Sequence, residues 1–480
     1  MSDQSTASDA KQSSSSSEKL PLWKRIVQWG NKFRLAIVGL IGFVILVLGG
    51  IGSYYGLPSE VRCSLPIFTS CPKAEPMPVP GFNVVVAGFG AQDASGRVTT
   101  STYADGVSDT IYGEIATLDG VDNHRGPDAP GVGHILAQTA EERAVQAANI
   151  ANELNAAIVI YGIVRDEGNI TVIEPSFHIN GSVTTFEPEM TGNSILGSPL
   201  ELINGSTIQD NFEFDQRVAL LRSVIQGLDL YLSGNYSAAL VKFEAAIAAS
   251  PDSALLYIFA GNTTLRLIHT EDAIQFFDQA LALDPNYARA LVGRGSTLFT
   301  LARTQSIRAN AALTLSSEMT CTRTDLPIPT EPQLQVMLAI NCYEQAWAAS
   351  SDPQISDIDI KVQVSLGQAY EWLMERGGPY RAEAEDWLRA AIHTYRNAED
   401  ERKSRLSFFA GHALALLGRL LTLGTHYTVE DVCEAMGYYE EAIQLLREDA
   451  QRVYNGQAIE SYEEQKNALD IWLGDTTCPL

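Results

Sequence analysis

Few residues in this chain have the types and spacing to do chemistry. Asp105 and Asp109 lie four apart at the start of a helical stretch, where two carboxylates meet on one face and could share a divalent cation. The same placement suits a helix start, because a carboxylate there accepts free backbone N–H groups and meets the positive end of the helix dipole; capping, with Asp105 as the cap, is the role expected. Gly88 and Gly90 supply half of a dinucleotide fingerprint, but a third glycine is missing and no helix opens at once. His124, His134 and His178 are scattered, with no nucleophile at a recognisable spacing. The six cysteines, Cys63, Cys71, Cys321, Cys342, Cys433 and Cys478, form no C-x-x-C and accompany no histidine pair, so they do not outline a zinc site. An even number suits disulfides in an oxidising compartment; six cysteines permit 15 connectivities, and sequence proximity suggests Cys63 with Cys71, Cys321 with Cys342 and Cys433 with Cys478. No catalytic centre, cofactor or metal is expected, and the chain does not read as an enzyme.

The elements that would carry these residues follow from composition. The 480 residues suffice for two or three domains, and an apolar share of 45% is ordinary for folded material. Net charge is −25; residues 1–34 hold six Lys or Arg against three Asp or Glu, so the remainder carries −28. So acidic a body lacks the basic surface that a phosphate backbone requires, which excludes nucleic acid as the expected partner.

Residues 1–34 begin with a polar, serine-rich stretch that cannot bury enough apolar surface to order itself. From Leu35 to Tyr55 no charged residue occurs, and as a helix this stretch rises roughly 31 Å, enough to span a hydrocarbon core. Lys19, Lys24, Arg25, Lys32 and Arg34 precede it, whereas only Arg62 and Lys73 follow closely. By that asymmetry the amino terminus is expected in the cytoplasm and the bulk of the chain outside it. A cleaved signal peptide is the competing reading, but its apolar core would be shorter, about 7 to 15 residues. All six cysteines lie beyond this segment, in keeping with that topology. Residues 56–80 are rich in proline and read as an extended spacer.

Residues 81–200 read as an α/β domain. FNVVVAGF from Phe82 is a buried-strand signal, and Val107, Ile111, Ile115 and Leu118 mark one face of a helix. A second helix spans Ala140 to Asn155, and then AAIVIYGIV and NITVIEPSFHI flank the turn at Asp166, Glu167 and Gly168, a hairpin signal. FNVVVAGF followed by TYADGVSDTIYGEI resembles the amino-terminal domain of the TolB-like family, as does the helix-to-strand step ANELNAAIVIYGIV. The resemblance covers about residues 82–180. It departs in the Gly/Pro-rich loop near 119–138 and after Ile179, where NGSVTTFEPEMTGNS lacks the closing aromatic strand.

From residue 218 to 480 the chain repeats. Gly227, Ala239, Phe243, Ala246 and Pro251 recur 34 positions later as Gly261, Ala273, Phe277, Ala280 and Pro285. The small residue lets two helices approach, the alanines and aromatic share one face, and the proline ends the unit. This resembles the tetratricopeptide repeat family. A third unit starts at Leu291 and Gly295 and resumes at Ala339, Tyr343 and Ala346 after an insertion at about 303–333. A fourth shows Gly367 with Ala384, Leu388 and Ala391, and a degenerate fifth shows Gly411 with Ala435, Tyr439 and Ala442, before a capping helix.

The resemblance implies an all-α solenoid whose first helices line a concave groove for a peptide or protein partner. Its groove positions fall on Val224, Leu228 and Tyr231, on Ile258, Asn262, Leu265 and Arg266, and on Arg289, Val292, Ser296 and Phe299. The alternative for each is packing between repeats. The function expected is thus a single-pass, extracytoplasmic interaction scaffold; its rival is an envelope sensor whose α/β domain binds a small ligand while the repeats relay its state. Oligomeric state is open.

Overall fold

A nine-residue strand, Ile158–Asp166, forms the axis of the first half of the molecule, because its β-branched run is buried on both faces and needs a partner on both edges. In this computed structural model residues 75–478 are described, except 80, 122, 185, 196, 204–210, 305–318, 350–356, 425–426, 449–454 and 475. The expected tail, membrane helix and Cys63–Cys71 pair, with most of the spacer, lie outside the described residues. Among the described residues no helix is long and apolar enough to cross a membrane.

The sheet contains β1 (Asn83–Val86), β2 (Gly90–Gln92), β3 (Val98–Thr99), β4 (Asn123–Arg125), β5 (Ile158–Asp166), β6 (Ile170–Ile179), β7 (Gly192–Ile195) and β8 (Leu200–Ile203). Strands β1 and β2 lie along one edge of β5 and run parallel to it, with Val84 opposite Ile158 and Gly90 opposite Ile163. The other edge takes β6 antiparallel through the expected hairpin, where Gly168 at φ +85° makes the turn and donates its N–H to Asp166 Oδ1. Strands β7 and β8 both pair with β6. The polar stretch after Ile179 therefore does close the sheet, through β7, although it lacks the aromatic pattern of a strand.

Alternation along the strands divides the sheet into two faces. Val84, Val86, Ile158 and Ile160 share a core with helix α1 (Thr102–Ile115) and with the repeat helices. Val85, Ala87, Val159 and Tyr161 pack instead on helix α2 (Ala140–Leu154). A capping box between Thr139 and Glu142 starts α2, and Asn155 ends it in the left-handed region. The cap of α1 is Ser101, whose side chain accepts from the Ala104 N–H, and not Asp105. Asp105 instead bonds His134 Nε2 at 2.8 Å, across the Gly/Pro-rich loop. Gly88 makes that possible, since a Cβ there would come within 2.3 Å of the His134 ring.

The second half is helical: α3 (Phe212–Leu232), α4 (Tyr236–Ala249), α5 (Ala254–Arg266), α6 (Thr270–Leu283), α7 (Ala288–Arg303), α8 (Pro332–Ala349), α9 (Ile358–Glu375), α10 (Arg381–Arg396), α11 (Asp400–Leu421), α12 (Val429–Glu448) and α13 (Asn455–Leu473). Helix α3 opens under an Asn211 cap, ahead of the first residue of the sequence repeat. Odd and even helices pair as hairpins through the repeated glycine. A Cβ on Gly227 would meet the Phe243 ring at 2.6 Å, on Gly261 the Phe277 ring at 2.8 Å, on Gly295 the Tyr343 ring at 2.7 Å and on Gly367 the Leu388 side chain at 2.6 Å. In the fifth hairpin it is Gly418 that faces Tyr439, at 3.2 Å, while Gly411 sits two turns away against Leu446. The expected insertion between α7 and α8 is tied to α8 by a Cys321–Cys342 disulfide, and α12 is tied to the chain end by Cys433–Cys478. One continuous core runs from Phe82 in the sheet to Leu373 in α9, and a second one covers α9 to α12.

Candidate functional site: the first-helix face of the repeat array

Helices α3, α5, α7 and α9 place side chains of one periodicity on one side of the array, the side expected to be concave. Val224, Leu228, Ile258 and Val292 are at most 1% exposed and belong to the packed core. Asn262 is buried and spends its Nδ2 on the Ile258 carbonyl one turn back, so it is turned into its own helix. Phe299 is buried, and Leu265 and Ser296 are half-buried. Tyr231, Arg266 and Arg289 are the members of the set that reach across to another part of the chain.

What they reach is the segment that follows β6 and runs through β7. It enters at Ser182, makes a short 3-10 turn over Pro188–Met190, and packs that turn against α5, α7 and α9. Phe186 is buried with its ring 5.7 Å from that of Tyr231. Arg266 donates from Nε to the Tyr231 hydroxyl at 3.1 Å and forms an ion pair with Glu187. Lys361, on α9, donates to Glu187 Oε2 at 2.9 Å and to Glu189 Oε2 at 2.7 Å. Farther along, Arg289 donates to Ser194 Oγ at 3.0 Å and to the Asn193 carbonyl at 3.1 Å. Arg405 approaches Ser182 at 3.5 Å while held by Asp357.

Electrostatics explains why these charges tolerate burial. Two cations, Arg266 and Lys361, face two carboxylates, Glu187 and Glu189, of which Glu189 is 1% exposed. Burial pulls the Lys361 ammonium toward neutrality, but the two carboxylates beside it outweigh that and hold its pKa above the usual lysine value. Burial raises the Tyr231 hydroxyl, so that it stays protonated and accepts from Arg266 through its lone pairs. The arrangement grips a short acidic turn; among the described residues there is no group of His, Cys, Asp or Glu able to hold a metal.

Sequence reasoning missed Glu187, Glu189, Lys361 and Ser194. The Glu-Pro-Glu stretch was visible, but no local period marks it as something a distant helix face would hold. Asn180 and Asn262 each open an Asn-x-Ser/Thr triplet, but both are 2% exposed, which hides them from a modifying enzyme in the folded chain.

No protein-family model matches this sequence, and no curated protein is found as a relative. Solved structures similar to it include TTC0263, a thermophilic tetratricopeptide repeat protein of Thermus thermophilus, with 15% identity, 52% of this chain and 99% of that one covered, and a TM-score of 0.34. PilW, described as a widely conserved type IV pilus biogenesis factor, matches at 16% identity over 52% of this chain and 92% of its own, with a TM-score of 0.33. YrrB, a tetratricopeptide repeat protein with an unusual peptide-binding site, matches at 16% identity over 49% and 93%, with a TM-score of 0.26. At these scores the repeat assignment rests on the helix hairpins of this chain and their glycine–aromatic contacts.

Proposed function

We propose that the protein is an interaction scaffold, held at a membrane by its apolar segment and displayed outside the cytoplasm, whose first-helix face takes a short acidic segment of a partner. One observation carries this reading: that face already grips such a segment in cis, through Arg266 and Lys361 on Glu187 and Glu189. A partner segment would compete with residues 181–195, so its apparent affinity is reduced by the fraction of time that segment is open. The oxidised pairs Cys321–Cys342 and Cys433–Cys478 support an extracytoplasmic location.

The test is crosslinking in intact cells, comparing the natural chain with a Glu187→Gln, Glu189→Gln variant that loosens the cis segment. Greater recovery of the same neighbouring protein with the variant is expected. Equal recovery would mean that the partner binds elsewhere, and protection of residues 75–480 from protease added to spheroplasts would remove the extracytoplasmic placement.

A sensor is the second reading. What favours it is the continuous core from Phe82 to Leu373, since a ligand-dependent shift in the sheet would be felt directly by the repeat helices.

A further inference from the structure

Between the sheet and the starts of two repeat helices lies a cleft of about 500 Å³, within the usual size range of small-molecule sites. Its walls include Arg143 and Tyr161 from α2 and β5, Ser194 from β7, Ser253 at the head of α5, and Arg289 near the head of α7.

Arg289 is the unusual group. It is 2% exposed, and its guanidinium is met by neutral acceptors, Ser194 Oγ at 3.0 Å and the Asn193 carbonyl at 3.1 Å, together with the neighbouring Tyr287 hydroxyl. Other buried cations of the chain have carboxylates: Arg294 has Asp278 at 2.6 Å, and Lys361 has Glu189 at 2.7 Å. Among the described residues Arg289 makes no ion pair. A buried charge without a counter-charge is costly, so a fold that keeps one at a cleft wall leaves a place for an anion.

The rest of the cleft agrees. Arg143 donates to the carbonyls of Ala137 and Gln138 and likewise makes no ion pair among the described residues. The carboxylates that line the cleft are already engaged. Glu174 is held by both Arg165 terminal nitrogens at 2.9 and 2.6 Å, Asp252 accepts the hydroxyls of Ser198 and Ser250 at 2.8 Å each, and exposed Asp284 accepts the Asn286 N–H at 3.0 Å. Helices α5 and α7 both begin here without a side-chain cap, leaving leading N–H groups and the positive dipole end at the wall. Ile163 and Leu255 add apolar surface for a short carbon skeleton.

We propose that this cleft binds a small organic anion whose carboxylate pairs with the Arg289 guanidinium, with Arg143 of α2 as second cation. The planar fork of arginine suits a carboxylate in bidentate geometry. The cleft shares Arg289, Asn193 and Ser194 with the first-helix face, but it lies at the heads of α5 and α7 and does not require the Pro188–Met190 turn to move.

The test is thermal unfolding of the full-length protein titrated with sodium succinate, against sodium chloride at matched ionic strength, with inorganic phosphate as a second arm. Succinate is expected to give a saturable rise on the order of 3 °C. Arg289→Gln should abolish it, and Arg143→Gln should raise the half-saturating concentration about tenfold. The proposal is overturned if succinate does no more than chloride, if phosphate alone gives the saturable rise, or if the rise survives Arg289→Gln. Should Arg289→Gln fail to fold, Arg143→Gln decides: a shifted half-saturation supports the site, and an unchanged one overturns it.

Discussion

At the scale of residues, stability rests on a few close approaches and a few buried charges. A Cβ on Gly293 would come within 2.2 Å of the Phe277 ring from the preceding hairpin, so Gly293→Ala overpacks the joint between units. A loss of about 1–3 kcal/mol in urea unfolding is expected, whereas Gly106→Ala on α1, where no atom lies within 4 Å, should be neutral or gain up to about 1 kcal/mol. Equal effects at the two positions would contradict the packing account. Lys361→Met removes the cation that holds Glu189 and one that holds Glu187, and should cost about 3–5 kcal/mol; adding Glu189→Gln should restore part of it, which a double-mutant cycle measures. His178 gives a pH dependence. It is 8% exposed, and burial, with Arg405 and Arg289 nearby, depresses it from 6.5 to about 4 despite its bond to Asn193. The folded chain therefore binds fewer protons at this site than the unfolded one between those values. Stability contributed by the neutral ring is present above about pH 6.5 and falls by roughly 3 kcal/mol as pH drops to about 4. The urea midpoint of a His178→Gln variant should fall less steeply over that window, and parallel slopes would refute the assignment.

At the scale of elements, the hairpins were legible because each needs one small residue opposite one large one, and Gly227 with Phe243 or Gly261 with Phe277 writes that need at a fixed spacing. The fifth hairpin was harder: two glycines sit on one face of α11, and only the packing distinguishes Gly418 from Gly411. Strands β5 and β6 were legible from nine- and ten-residue runs about a turn, while β2, β3, β4, β7 and β8 are two to four residues long and are held by register with their neighbours rather than by any pattern of their own. The occupant of the first-helix face was illegible for a related reason: Glu187 and Lys361 are 174 positions apart, and no local rule connects them. The disulfides act on elements too. Cys321–Cys342 closes 21 residues and Cys433–Cys478 closes 45, so removing each should cost about 3 and about 4 kcal/mol on the loop-entropy scale. Melting Cys321→Ser, Cys342→Ser and Cys433→Ser, Cys478→Ser variants checks this; a pair whose removal leaves the melting temperature unchanged would show that its loop is not constrained in the unfolded chain.

At the scale of the whole molecule, the sheet, the first three repeat units and α9 form one body, since Phe82, Val84, Phe243 and Leu373 belong to the same continuous core. The segment from Ser182 to Ile195 is one link between them, pairing with β6 on one side and meeting α5, α7 and α9 on the other, beside the direct packing of α3 on α1. The most direct measurement is amide hydrogen exchange of residues 186–195 in the full-length protein. Held in cis by Arg266, Lys361 and Arg289, these amides are predicted to exchange as slowly as those of α5 and α7, and faster in the Glu187→Gln, Glu189→Gln variant. Exchange on the timescale of an exposed loop in the natural chain, with α5 and α7 still protected, would contradict the claim that this face is occupied by the chain's own acidic segment.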